Sequence, residues 1–487
     1  MSCFAWFVPL LFVLHTLAGA APVTDWTQVA REDIRFAEET IRTRHAGYIA
    51  GRLSVTEPLE TGLRSALTDA GKVRSEQDYL RLMTRFIGGF GDPHTDIDLQ
   101  LPPRAWTGIV LDRRDGNYRV AWSEPSWPTP LPPNGAQALT CDDVWIGTYL
   151  HTKVHPYNSE SEEYPGSWNV AAQRLMFEIG LGWIPKQCVF ALPDGSRKSY
   201  ILTPRLVPDQ LSPEYVKAVR MRVRPHARPV GLAQVAPDMQ WVGMPDFDGA
   251  ASGTAYEALY PKLGALPRSG WVIFDLRGNG GGNSTWGSRA LGALYGNDFM
   301  VRIGKATGYV KYMTANQPTA DLLRYFMTSP VHAASHASFD KNLGKVEAAM
   351  RAGQKMALVS DDETGAGTGT PALVRPHGPR LAAVIDRACF SSCQNFLMQL
   401  RKVDDTLVLG EASTGFSPFG EINRFDLPSG RGTLYIPSAL YLTSQGTREP
   451  FIPDISYDGN MADDAELEKW VVRTLRGRQS ITPRQAP

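Results

Sequence analysis

The first 24 residues contain no Lys, Arg, Asp or Glu. Nowhere does an apolar run reach the about 20 residues that an α-helix needs to cross a bilayer. The run Phe4–Leu17, followed by the small residues Ala18-Gly19-Ala20, reads as a secretory signal peptide cut after Ala20. A periplasmic or secreted protein without stable membrane insertion is therefore expected. Neither charge is in excess: Lys+Arg and Asp+Glu are both 50. That balance removes the electrostatic reason for a polyanionic partner, and no nucleic acid is expected. The one basic run, Arg220, Arg222, Arg224 and Arg228, reads as a solvated strand or linker.

Cysteine is scarce, with five in the chain. Cys3 leaves with the signal. Cys141, Cys188, Cys389 and Cys393 remain, enough for two disulfides in an oxidising compartment. Cys141 is paired here with Cys188, and Cys389 with Cys393. No CxxC pair or Cys/His cluster has zinc spacing, so no metal is expected. His332 and His336 stand four apart without the Glu of a zinc-protease helix and read as a surface pair. No Gly-Lys-Ser/Thr closes a phosphate loop, Asn283 replaces the third glycine of a dinucleotide fingerprint, and GxSxG is absent. No cofactor is expected.

A chain of 487 residues exceeds what one core usually holds, so several domains are expected. After residues 1–20 as signal, residues 25–101 are charged and helix-like, with apolar residues at helical spacing in Asp33–Thr43 and Glu76–Phe86. They end in a glycine-rich turn at His94. Residues 104–207 change to short alternating runs separated by turns, a β-rich module. Residues 208–475 read as an α/β unit. Its buried strands are Trp241–Met244, Trp271–Phe274, Leu381–Ile385 and Thr406–Leu409, its helices Thr285–Tyr295 and Ser392–Lys402, and a mostly helical insertion spans about 304–362. Residues 476–487 form a tail.

Three segments carry chemistry. In Asp275-Leu-Arg-Gly-Asn-Gly-Gly-Gly282 a buried strand runs into glycines that let backbone N–H groups approach a ligand. At Cys389-Phe-Ser391-Ser392-Cys393-Gln394 a strand meets a helix. A serine there can be exposed beside amides aimed at an oxyanion, or it can merely cap the helix. In Gly91-Asp92-Pro93-His94-Thr95-Asp96 a histidine stands in a polar turn, either solvated or as a base whose other nitrogen is held by a carboxylate.

Together, in this order, these segments resemble the serine-peptidase family of the C-terminal processing proteases, the tricorn protease core and the retinoid-binding-protein repeats. Gly410-Glu411 with Ser413 and Gly415, Pro453-Asp454-Ile455, and Arg44-His45-Ala46-Gly47 are similar to further segments of that family. The resemblance implies a crotonase/ClpP-like α/β core of ββα-spiral type, a helical N-terminal domain, and a PDZ-like module whose carboxylate loop would lie near Thr107-Gly108-Ile109. It implies a peptidase acting on a peptide or protein substrate, with Ser391 as nucleophile and an oxyanion hole at Gly281 and Ser392. The lysine of the Ser–Lys branch is replaced by Phe416, so the histidine-base branch is the better match and points to His94. Glu449 is the analogous orienting carboxylate, with Asp92 and Asp96 as local alternatives. Gln394 stands where the family has Glu. A non-catalytic binding protein on the same scaffold, and an esterase or amidase of small substrates, are the competing readings.

Overall fold

The computed structural model describes residues 24–479, apart from 101–103, 115, 208–227, 308–309, 330–331, 333–334, 361–371, 414, 416 and 443–450. Residues 1–20, the tail beyond 479, Arg220, Arg222, Arg224, Phe416 and Glu449 thus lie outside the described residues. Arg228, at the end of the basic run, pairs with Glu468 and lies over the Trp241 ring.

The fold is mixed α/β with several sheets. The central sheet has six strands in the order Gly231–Ala236, Met239–Gly243, Trp271–Asp275, Arg380–Ile385, Leu407–Gly410 and Ile455–Ser456. The first pair is antiparallel and the rest are parallel. Its inner strands are mostly apolar because both faces are covered. In Trp271–Asp275, Val272 and Phe274 pack with helices Gly249–Gly264, Thr285–Tyr295 and Ser392–Leu400. Trp271 and Ile273 point to the opposite face, where Leu467, Val471 and Leu475 of helix Asp464–Gln479 close over them.

Helices Trp26–Arg44, Leu53–Ala70 and Glu76–Gly88 bury their apolar stripes in a second core. Asp25 and Ser75 cap the first and last of these by accepting backbone N–H groups. That core is shared: it takes in Ile109, Val120 and Phe190 from the 104–207 region and Phe419, Leu434 and Ile436 from near the C-terminus. Within 104–207, strands Ile109–Arg114, Asn117–Ser123, Gln137–Cys141, Gln187–Ala191 and Arg197–Ile201 form an antiparallel sheet. Helix Pro165–Leu175 crosses it, an element the alternating pattern did not announce. Cys141 and Cys188 lie opposite each other in adjacent strands and are bridged, Cα–Cα 4.1 Å. Beside Gly108, in the expected carboxylate loop, Trp127 and Leu131 fill the space a side chain would take, at 2.5 and 2.9 Å from a Cβ position.

The segment expected to be a mostly helical insertion does hold helices Gln317–Thr328 and His336–Arg351. It also holds strands Val310–Thr314 and Met356–Leu358, which join Asp96–Leu99, Phe419–Asp426 and Gly432–Leu442 in one antiparallel sheet. The half-buried strand face of Val310–Thr314 is short, and its pairing partner lies about 130 positions away, so local pattern alone does not mark it. Through this sheet the segment is fixed beside the Ser391 turn and His94.

Candidate active site

Strands Trp271–Asp275 and Arg380–Ile385 pair in parallel, with Asp275 opposite Val384. The turns that follow them therefore emerge side by side. Buried Arg277 anchors the first turn: it pairs with Asp275 at 2.6 Å and with Asp464 at 2.8 Å. Three hydrogen bonds knit the first turn to the second. The Gly278 N–H donates to Asp386 Oδ1 at 3.1 Å, the Phe390 N–H donates to Asn279 O at 3.2 Å, and Ser392 Oγ donates to Gly282 O at 2.6 Å. Asp386 Oδ1 also accepts the Ala388 N–H at 3.1 Å, while Oδ2 is buried with no hydrogen-bond partner among the described residues. Burial pushes this carboxyl up to about 7, and the nearby Glu411 adds to the effect.

Ser391 stands between strand and helix, immediately before helix Ser392–Leu400, with φ +54° and ψ −119°. Its side chain makes no capping bond to that helix, which removes the ordinary reading of a helix-cap serine. Cys389 and Cys393, both fully buried, are bridged beneath it with Cα–Cα 5.4 Å. At Gly281 (φ +105°) a Cβ would come within 2.9 Å of the Ser391 Cβ and 3.0 Å of the Ser392 N. The bare backbone of this turn thus lies against the serine. The Gly281 N–H donates to Asn279 Oδ1 at 2.9 Å.

His94 comes from the opposite side. Asp92 shapes its turn: Oδ1 accepts the His94 N–H at 3.3 Å and Oδ2 accepts the Thr95 hydroxyl at 2.9 Å. Fully buried His45 supports that hydroxyl. Its Nδ1 accepts the Gly47 N–H at 2.9 Å, so Nε2 carries the proton and donates to Thr95 Oγ1 at 2.9 Å. The ring of His94 is 5.0 Å from that of Phe390. His94 Nδ1 lies 2.7 Å from Phe419 O. A carbonyl only accepts, so Nδ1 carries a proton, and in the neutral ring the lone pair is on Nε2. The group holding Nδ1 is thus a backbone carbonyl. Both oxygens of Asp92 are engaged in the turn, and Asp96 accepts from the Ile97 N–H while burial pushes its carboxyl up.

Ser391, Ser392 and His94 line one cleft of about 600 Å³. Its far wall comes from the inserted segment: Lys311, Phe326, His332 and Phe339. Lys311 pairs with Glu421, whose carboxylate also accepts the Tyr441 hydroxyl at 2.8 Å. The two histidines expected as a surface pair are half-buried. His332 packs against Phe326 and Phe339, ring centroids 4.7 and 5.8 Å away, and His336 Nε2 is 3.0 Å from Ser329 O. Burial pushes the His332 imidazole pKa down. Apolar contact with these two phenylalanines outweighs solvation, which an i, i+4 spacing does not reveal. Gln394 is buried and its amide donates to Gly415 O at 2.7 Å and Ser413 Oγ at 3.2 Å. A carboxylate could not donate to that carbonyl, which accounts for Gln at this position. Among the described residues no group of His, Cys, Asp and Glu is arranged to hold a metal, and no helix is long and apolar enough to cross a membrane.

The Phe419 carbonyl and the wall residues Lys311, His332 and Glu421 are the parts of the site that sequence reasoning missed. A main-chain acceptor leaves no mark on residue identity, and the wall depends on long-range strand pairing.

Residues 241–457 match the family model described as peptidase family S41. Among solved structures, the chain is similar to mature CPAF at 14% identity and TM-score 0.66, covering 94% of this chain and 99% of that one. It is also similar to mature CPAF complexed with lactacystin, at 13% identity and TM-score 0.65, covering 93% of this chain and all of that one. At such identity the likeness speaks to the fold. No curated protein sequence matches the chain.

Proposed function

We propose that this serine-type peptidase, whose residues 241–457 match the model of peptidase family S41, is an exported enzyme cleaving peptide bonds with Ser391 as nucleophile and His94 as general base. The observation that carries this reading is the His94 tautomer. In the neutral ring, with Nδ1–H committed to Phe419 O, the lone pair is on Nε2, and His94 and Ser391 line one cleft. No hydrogen bond joins Ser391 to His94 among the described residues, and such contacts commonly tighten only when substrate is bound.

Ser391 Oγ attacks the scissile carbonyl as His94 Nε2 takes its proton. The developing oxyanion is received by the Ser392 N–H and by the Gly281 N–H, which it shares with Asn279 Oδ1. The imidazolium then protonates the leaving amine, and a water deprotonated by His94 releases the acyl group. Phe419 O stabilises the imidazolium, a role the family resemblance gives to Glu449. On the same reading the six-stranded sheet is a crotonase/ClpP-like core within 208–475, and 104–207 is a PDZ-like module set between it and the helical residues 25–101. Two bridged cysteine pairs agree with an oxidising, periplasmic or extracellular setting.

A fluorophosphonate probe tests the assignment. Labelling should occur at Ser391 in the whole protein and vanish in Ser391→Ala, and unstructured peptides should be turned over faster than simple alkyl esters. Ester turnover without peptide cleavage would replace the peptidase reading by that of a small-substrate hydrolase. Labelling at another residue would remove Ser391 from the mechanism.

A further inference from the structure

We propose that the Cys389–Cys393 disulfide is a positioning element of the active site, needed for Ser391 to present its hydroxyl in working geometry. The inference rests on Ser391 being the nucleophile. The bridge encloses three residues, and each meets a different part of the site. The Phe390 ring lies 5.0 Å from the His94 ring. Ser391 lines the cleft. Ser392 Oγ donates to Gly282 O at 2.6 Å and so reaches the glycine turn that offers the oxyanion amides. Rotation of this short loop would move base contact, nucleophile and oxyanion donors together.

The backbone at Ser391 needs such restraint. Its φ of +54° lies in the left-handed range that side-chain-bearing residues seldom occupy. Two local bonds hold the loop, Cys389 N–H to Asp386 O at 3.2 Å and Cys393 N–H to Phe390 O at 3.1 Å. The bridge adds a covalent hold to the apolar core, in which both cysteines are fully buried against the strands and helices of the central sheet. Global stabilisation is the weaker account. Closing a separation of 4 residues removes little freedom from the unfolded chain, compared with the separation of 47 closed by Cys141–Cys188. What the short bridge restricts is the orientation of the residues inside it, which couples activity to oxidation of this one pair.

The test uses the whole protein. Cys389→Ala/Cys393→Ala should lower kcat by about 10²-fold, the scale of a misplacement near 1 Å. KM should change by less than about threefold, and fluorophosphonate labelling of Ser391 should slow in parallel. Cys141→Ala/Cys188→Ala, which retains only the short bridge, should lose melting temperature and keep its kcat. In that second variant a graded dithiol buffer opens a single bridge. Alkylation and mass spectrometry give the open fraction, and near-ultraviolet circular dichroism reports the fold, so the test stands even where the first variant does not fold. Activity should fall with the open fraction while the fold signal persists, and return on reoxidation. Wild-type labelling and turnover in either bridge-open form overturns the proposal, as does a loss of activity that follows only unfolding. Absence of labelling in the oxidised wild type overturns the nucleophile assignment and the bridge's role with it, whereas a labelled wild type indifferent to the bridge overturns the bridge alone.

Discussion

Strands Trp271–Asp275 and Arg380–Ile385 lie side by side in one sheet, and their turns solve opposite problems. On the proposed mechanism the first turn must bring bare backbone close to a reacting atom, and it discards side chains. A Cβ at Gly282 would stand 2.3 Å from Phe247 O, and one at Gly281 would stand 2.9 Å from the Ser391 Cβ. The second turn must present a side chain from a similarly unusual backbone, with φ +54° at a serine. It cannot use glycine, so it is held from outside by hydrogen bonds to the first turn and by the cysteine bridge below. Where backbone groups are the functional atoms, conformational freedom is built into the residue. Where a side chain is functional, the neighbours must supply the constraint.

The sharpest test of this contrast removes the side chain that the second turn exists to present. Ser391→Ala should reduce kcat by at least about 10⁴-fold while leaving the melting temperature within a few degrees, because only a hydroxyl in the cleft is lost. His94→Ala should cost nearly as much, and the double variant little more than either, since nucleophile and base act as a unit. A fully active Ser391→Ala with a lowered melting temperature would make this serine a structural residue.

Adding a side chain to the first turn comes next. Gly282→Ala should lower stability by about 2–4 kcal/mol in denaturant titration, combining a positive φ with a clash against backbone. Gly281→Ala meets the Ser391 Cβ and the flanking backbone of Phe390 and Ser392, so it displaces the serine turn itself and its loss should appear more in kcat than in stability. Equal effects of the two on kcat would erase the distinction drawn here.

Asp386 joins the two turns, and its ionisation separates them from the rest of the fold by pH. Its carboxyl is raised from 3.8 to about 7. Between those values the folded state holds a proton on Asp386 that the unfolded chain has released, so the contribution of this carboxyl to stability falls as pH rises from about 4 to about 7. Asp386→Asn keeps an acceptor for the Gly278 and Ala388 amides but lacks this titration. The stability difference should shift toward the variant by up to about 4 kcal/mol across that window, read from denaturant midpoints at several pH values. A difference that does not vary with pH would remove the raised carboxyl from the account. The smallest effect is expected at Ser392→Ala, which loses one hydrogen bond to Gly282 O, about 1 kcal/mol, and keeps activity within a few-fold because its N–H remains.

Much of the central sheet was legible because its strands are fully buried and end in punctuating turns. Helix Thr285–Tyr295 runs between the two residues read from the pattern, and strand Arg380–Ile385 begins one residue earlier than read. Those turns were informative because their residue types are constrained by geometry: glycines in one, a serine pair at a strand–helix junction in the other. Legibility failed where position depends on distant chain. Helix Pro165–Leu175 is amphipathic within a stretch dominated by alternating runs, and the strands Val310–Thr314 and Met356–Leu358 acquire their identity only by pairing with Gly432–Leu442 or with each other. The orienting group on His94 was sought among carboxylates, where sequence can show it. The described partner is a main-chain oxygen, which any residue at 419 would carry.

The bond from His94 Nδ1 to Phe419 O spans 325 positions. It has a consequence in time. A ribosome delivers the proposed base first and the proposed nucleophile almost 300 residues later, yet the carbonyl that holds the histidine comes last of the three. Every nascent chain shorter than strand Phe419–Asp426 carries a serine and a histidine that are not yet a pair. Chains arrested at staged lengths should accordingly react with a fluorophosphonate at Ser391 only once that strand has cleared the exit tunnel, and labelling of shorter chains would show that the carbonyl is dispensable. Late emergence of that strand is then itself a safeguard, keeping the shorter nascent protein from cutting what surrounds it.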